Sequence, residues 1–179
     1  LEALMSFKRS LSENVLFPTL ESEDDVIRMF DSLTGVSVNG DDVLRWQIED
    51  IDSLTGLAFE EVVFKLYMKM GYRTIKTPAS NDKGADVIAW KNKGNKKGLL
   101  IQCKQTSGHS NMNASGVQEI YSAKAFYENR YACEFQALVI TNASDFTPNA
   151  KMLAEQNNVV LVARQELAEM LKNYPVARF

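Results

Sequence analysis

Two apolar runs separated by a basic, glycine-containing turn constrain this chain more than any other stretch. The first, Gly84-Ala85-Asp86-Val87-Ile88-Ala89-Trp90, opens with a carboxylate and continues apolar and β-branched. The second, Leu99-Leu100-Ile101-Gln102-Cys103-Lys104, is apolar until it ends in an amide and a lysine two residues apart. Each has the composition of a strand. Lys91-Asn92-Lys93-Gly94-Asn95-Lys96-Lys97-Gly98 between them is a polar connection of hairpin type, which sets the two strands side by side and antiparallel. Strand side chains alternate between faces, so Gln102 and Lys104 share one face and Cys103 takes the other. In that register Asp86, Gln102 and Lys104 cluster in space.

The cluster has a chemical logic. A carboxylate and an amide carbonyl are hard oxygen donors of the kind Mg²⁺ takes, together with water and phosphate oxygens. A lysine beside them can orient or deprotonate a water and offset charge on a phosphorane-like transition state. An ordinary hairpin with polar strand ends accounts for the same residues, since aspartate followed by Gln-x-Lys is a short signal.

Upstream of the hairpin, Ser53 or Thr55 can cap a helix running through Phe59, Val62, Val63, Leu66 and Met70, with Gly71 as its stop. At about 100° per residue, Phe59, Val63, Leu66 and Met70 fall on one narrow face, Glu60 at its border close to Tyr67, and Glu61 on the far side. Glu60 is therefore the glutamate able to reach inward to a site. That both glutamates merely favour the helix N-terminus is the alternative.

Charge is distributed unevenly. The net charge is −3, but residues 1–52 carry −8 and residues 53–179 carry +5. The part holding the candidate site is basic, densest at Lys91, Lys93, Lys96 and Lys97. Phosphate affinity follows the local field, so a nucleic-acid partner stays open; a solvated hairpin tip explains the lysines equally well. With 179 residues, 45% of them hydrophobic, the chain can bury a sizeable core. We expect an acidic helical extension or linker over 1–52 and one domain over 53–179. No run approaches the roughly 18 apolar residues of a membrane span, and the expected location is cytoplasmic, away from membranes. The chain opens on Leu1 rather than methionine, which suggests a piece of a longer protein. Cys103 and Cys133 lie in or beside apolar runs and are expected as buried free thiols.

In chain order, Ser22 can cap a short helix through Asp31, and Asp41 can open another containing Val43, Leu44, Trp46 and Ile48. After the capped helix, 72–77 reads as a first strand and 78–84 as the loop into the hairpin. The only histidine, His109, falls in a polar segment and reads as a loop residue, phosphate contact being the alternative. Ser115 to Tyr127 reads as a helix. Phe135 to Thr141 is a buried strand of the near-continuous apolar kind found in parallel pairs. Thr147-Pro148 starts a helix, Val159 to Val162 is a last strand, and Gln165 to Lys172 a last helix. The order α-β-β-β-α-β-α-β-α gives an α/β sandwich: a mixed central sheet flanked by helices, with a meander followed by right-handed crossovers.

Residues 55 to about 173 resemble the catalytic domain of the Mrr-like restriction endonucleases, a branch of the PD-(D/E)xK nuclease superfamily. The resemblance is carried by Gly56-Leu57-Ala58-Phe59-Glu60, Gly71-Tyr72, Asp82-Lys83-Gly84-Ala85-Asp86-Val87-Ile88-Ala89, Ile101-Gln102-Cys103-Lys104, Gly116-Val117-Gln118-Glu119, Val139-Ile140-Thr141-Asn142 and Phe146-Thr147-Pro148-Asn149-Ala150. It implies a restriction-endonuclease-like fold and a metal-dependent DNA endonuclease acting in restriction of foreign DNA. Mg²⁺ is the expected ion, with Mn²⁺ as a substitute.

By the same resemblance Asp86 is the metal-binding aspartate, Gln102 stands where the superfamily has an acidic residue, Lys104 is the motif lysine, and Glu60 is the helix glutamate completing the site. Asp82 matches an outer acidic residue. Lys83, Lys91, Lys93 and Gln118 are expected to face DNA. Lys83 departs from the family pattern by replacing a glycine, and a glutamine in place of a carboxylate favours one tightly held metal ion. Cutting both strands takes two sites, supplied by a homodimer or by further domains of a longer parent. A non-catalytic DNA- or partner-binding module on the same scaffold, and a repair or junction-resolving nuclease, are the alternatives.

Overall fold

A computed structural model of the chain describes residues 44–77, 83–91, 96–107 and 110–178. Its sheet has five strands in the order β1-β2-β3-β4-β5: β1 Arg73–Lys76, β2 Val87–Trp90, β3 Lys97–Lys104, β4 Glu134–Thr141 and β5 Val159–Val162. β1 to β3 pair antiparallel, and β3, β4 and β5 pair parallel. The sheet is thus mixed, with the meander and crossovers that the sequence pattern implies. In the hairpin, Val87 opposes Ile101 and Ala89 opposes Leu99.

The helices are α1 Ile48–Ile51, α2 Gly56–Lys69, α3 Ser115–Tyr131, α4 Pro148–Gln156 and α5 Arg164–Asn173. The Thr55 and Thr147 side chains cap α2 and α4 by accepting from the backbone N–H groups of Ala58 and Ala150. Strand alternation sorts the interior into two layers. Ile88, Leu100, Ala137 and Val139 pack against Val117, Ile120 and Ala123 of α3 and Ala150 and Ala154 of α4. Val87, Ala89, Ile101, Cys103, Leu138 and Ile140 pack against Phe59, Val62 and Leu66 of α2 and Leu167 and Leu171 of α5. β3 and β4 are therefore covered on both faces, as their apolar composition requires.

Three boundaries differ from the sequence reading. α3 runs to Tyr131 rather than Tyr127, because no glycine marks its end; Ala132 itself takes the left-handed conformation that stops it, at φ 47. Of the helix expected from Asp41, the described part is helical only over Ile48–Ile51, and Arg45 instead bridges Ala177 near the C-terminus. Residues 45–52 pack with the body that carries the sheet: Trp46 N–H donates to the Val176 carbonyl at 2.9 Å, and Ile51 is buried. The Ser22–Asp31 helix, the residues 1–43 of the acidic segment, Asp82, Lys93 and His109 lie outside the described residues. Cys103 and Cys133 are buried and outside any disulfide. Among the described residues no helix is long and apolar enough to cross a membrane.

A polar clamp closes the carboxyl ends of β3 and β4. Asp52, just past α1, accepts from Nη1 and Nη2 of Arg164, at 2.7 and 2.9 Å, and from the Asn142 amide nitrogen at 2.8 Å. Asn142 also holds both backbone groups of Thr106, and the Thr141 hydroxyl donates to the Lys104 carbonyl at 2.6 Å. Asp52 and Arg164 thus fix where β3 ends. Removing one partner leaves the other charge half-buried without its bidentate mate. Asp52→Ala should lower unfolding stability by about 2 kcal/mol, read from the urea midpoint; a midpoint equal to the native chain's would mean the clamp contributes nothing.

Candidate active site

Asp86 ends a short loop one residue before β2, held on both sides by backbone pairing. Its N–H donates to the Ile101 carbonyl at 2.8 Å, and its carbonyl accepts from Thr77 N–H at 3.0 Å. Its carboxylate turns toward β3: Oδ2 accepts the Cys103 backbone N–H at 2.6 Å and the Gln102 side-chain Nε2 at 2.9 Å. Both Asp86 and Gln102 are buried, 6% and 5% exposed. Because Nε2 faces Asp86, Oε1 of Gln102 is buried with no hydrogen-bond partner among the described groups. A buried acceptor left in that state is unfavourable unless something electropositive reaches it.

Lys104, two residues on, points to the same face and pairs with Glu119 of α3 at 2.5 Å. Gln102, bonded to Asp86, and Lys104, bonded to α3, thus alternate with Cys103 along β3. Glu119 was missed as a site residue, although it sits within the Gly116-Val117-Gln118-Glu119 segment; its only local signal is its place one turn beyond Gly116, on the flank of the buried Val117–Ile120 stripe.

Glu60 comes from α2, on the opposite layer. It and Asp86 act on a common point, the Cys103 thiol: burial pushes that thiol up, Asp86 and Glu60 push it further, and Lys76 and Lys104 oppose them. Glu61 turns away to Lys76 at 3.2 Å, as the far-side placement on the helix requires. Gln118 is exposed on α3. Lys91 lies at the other end of the hairpin, with its ammonium 5.4 Å from the Tyr72 ring centroid. Strand β3 separates that end from Lys104 by roughly 23 Å at about 3.3 Å per residue. Lys91 therefore does not join the Asp86 cluster, whereas Lys83 is exposed three residues before Asp86.

Lys83 shows why a glycine suits its position. It adopts φ 55, and Gly84 follows at φ 90. At Gly84 a Cβ would lie 2.8 Å from the Glu119 carbonyl oxygen and 3.1 Å from Glu119 Cβ, so only glycine lets the loop meet α3.

The donor set fits a hard divalent cation in one specific way. Among the described residues no group of three or more histidine, cysteine, aspartate or glutamate side chains could hold a metal ion. A centre here would instead combine the Asp86 carboxylate with the unpartnered Gln102 oxygen.

A family model described as restriction endonuclease, the Mrr catalytic type, matches residues 51–171. No match was found among curated proteins. Among solved structures, the crystal structure of a protein of unknown function, AF1548, aligns with TM-score 0.52 and 18% identity over 64% of this chain and 64% of that one. A repair endonuclease from Pyrococcus abyssi gives 0.46 and 14% over 62% and 47%, and EndoMS in complex with double-stranded DNA gives 0.47 and 17% over 62% and 45%. The chain spans less than two thirds of the length of each. The first likeness, at that identity, concerns the fold.

Two outcomes follow. Lys83→Gly should keep or raise stability, by up to about 1 kcal/mol, by removing a left-handed side chain. Gly84→Ala should lower it by about 1–3 kcal/mol through strain and contact with Glu119; equal urea midpoints for the two variants would contradict this account of the loop. The raised Cys103 thiol also sets an alkaline limit. Below the thiol's ordinary 9.0 both folded and unfolded chains keep the proton and the full stability is present. Above it only the unfolded thiol ionises, so stability is lost as pH rises. Tyr67, pushed up by burial first and then by Tyr72, adds in the same direction. Cys103→Ala should flatten the fall of the urea midpoint above that pH, though from a lower starting value; an unchanged slope would show the thiol plays no part.

Proposed function

This chain belongs to the Mrr-type restriction endonuclease catalytic family, and from that premise we propose that it hydrolyses DNA phosphodiester bonds at the Asp86, Gln102 and Lys104 cluster. The single observation that carries the reading is the buried Gln102 Oε1 with no hydrogen-bond partner, set beside the Asp86 carboxylate.

A divalent cation, Mg²⁺ with Mn²⁺ as a substitute, would be held by Asp86, Gln102 Oε1 and, from α2, Glu60; when bound it supplies Lewis-acid polarisation of the phosphate and a lowered pKa of water. The chain's own residues do the rest. Asp86 keeps its orientation through the Cys103 N–H, a donor whose position is fixed by the β3 backbone. Gln102 is turned by its donation to Asp86, which leaves its oxygen rather than its nitrogen without a hydrogen-bond partner. Lys104 brings an ammonium whose free donors can bind a phosphate oxygen and stabilise charge that develops on it. Lys83 and Gln118, both exposed, would meet the DNA backbone. Restriction of foreign DNA in the cytoplasm, and cutting of both strands by a homodimer or with other domains of a parent protein, complete the reading.

The test is cleavage of supercoiled plasmid, unmodified and methylated, with Mg²⁺ or with EDTA. Nicking that needs the metal is expected, and Lys104→Ala or Asp86→Asn should reduce its rate by about 10²–10⁴-fold while circular dichroism stays native. Metal-dependent cleavage that survives Lys104→Ala unchanged would sink the assignment of the site.

A further inference from the structure

We propose that Glu119 is the positioning residue for Lys104, fixing its ammonium at the Asp86–Gln102 cluster so that it meets a phosphate in one geometry. The inference rests on the nuclease reading of that cluster.

A lysine on its own is a poor choice for fixed geometry, since its four-carbon stem carries about 2 kcal/mol of rotamer entropy. Here the stem is anchored at both ends. Lys104 lies at the clamped end of β3, and its Nζ is 2.5 Å from Glu119 Oε2, with the side chains 25% and 41% exposed. The pair joins the sheet to α3 across a sequence separation of 15 residues, unlike the i,i+4 pairs Glu61–Lys65 and Lys124–Glu128, which stay on one helix.

Two glycines show that the closeness is built into the packing. A Cβ at Gly116 would lie 3.1 Å from Lys104 Cγ, and one at Gly84 would lie 2.8 Å from the Glu119 carbonyl oxygen. Each glycine thus permits the backbone of a neighbouring element to approach one member of the pair. The loop leading to Asp86 rests on the residue that holds Lys104, so the two are tied through Glu119 as well as through β3. An ammonium has three donors, and bonding Glu119 leaves two for a phosphate oxygen. Placement of this kind acts on the rate rather than on affinity, because a small displacement of a charge near the reacting atoms is felt mostly at the transition state.

The test compares the native chain with Glu119→Ala and Glu119→Gln. Alanine suits a helix, so the fold is retained and is verified by circular dichroism. Single-turnover plasmid cleavage with saturating Mg²⁺ should slow by about 100-fold in Glu119→Ala, while the Kd for a duplex, measured by fluorescence anisotropy without metal, stays within about threefold. Glu119→Gln, which keeps an oxygen acceptor, should recover part of that loss. A second arm is independent of cleavage: acylation of lysines by an N-hydroxysuccinimide ester, mapped by mass spectrometry on the chain without DNA or metal, should be faster at Lys104 in Glu119→Ala than in the native chain, relative to Lys151. Cleavage by Glu119→Ala at the native rate, or a loss of affinity as large as the loss of rate, would overturn the proposal. If the native chain fails to cleave, the nuclease reading fails, and unchanged Lys104 acylation in Glu119→Ala would separately overturn the pairing.

Discussion

The parallel pairing of β3 with β4 is the constraint on which the rest of this structure depends. Eight residues of each strand run in register, from Lys97 opposite Glu134 to Lys104 opposite Thr141, at the centre of the sheet. Both strands are buried on both faces, so helices must cover them above and below. A parallel pair also needs a crossover, and α3 supplies it, passing over the face that carries Gln102 and Lys104. The helix that completes the core is thereby also the one that brings Glu119 to Lys104. The Asp52–Arg164–Asn142 clamp then fixes the carboxyl ends, where the two strands finish together beside the candidate site.

Much of this was legible in the sequence because it depends on local periodicity. Strand alternation alone put Gln102 and Lys104 on one face and Cys103 on the other, and the two interior layers divide them in that way. Cap and proline signals placed α2 and α4, where Thr55 and Thr147 bond the third helical N–H. What could not be read was set by tertiary contact. Nothing local singles out Glu119 as the partner of Lys104, and nothing ties Asp52 to Arg164, 112 residues away. Ala132 ends α3 in a conformation that a glycine usually adopts, so the stop had no marker. The departure at Lys83 was visible, but its meaning emerged only from the positive φ and the contact of Gly84 with α3.

An amide rather than a carboxylate at position 102 sets the balance of charge at the cluster. A second carboxylate beside Asp86 would raise the affinity for a cation but would also repel Asp86 when the site is bare. The amide avoids that repulsion, since its nitrogen donates to Asp86 while its oxygen remains available. On the proposed reading, the cation is held with less negative charge and more geometric definition, and Glu60, reaching in from the opposite layer, adds the remaining charge.

The bond from the Cys103 backbone N–H to the Asp86 carboxylate has one more consequence. An amide proton bonded to a full negative charge is deshielded, and its resonance follows the electron density on the acceptor. Anything that draws charge from Asp86 weakens that bond, so the Cys103 amide is a spectroscopic probe already installed in the main chain, one that senses the carboxylate from the centre of the sheet.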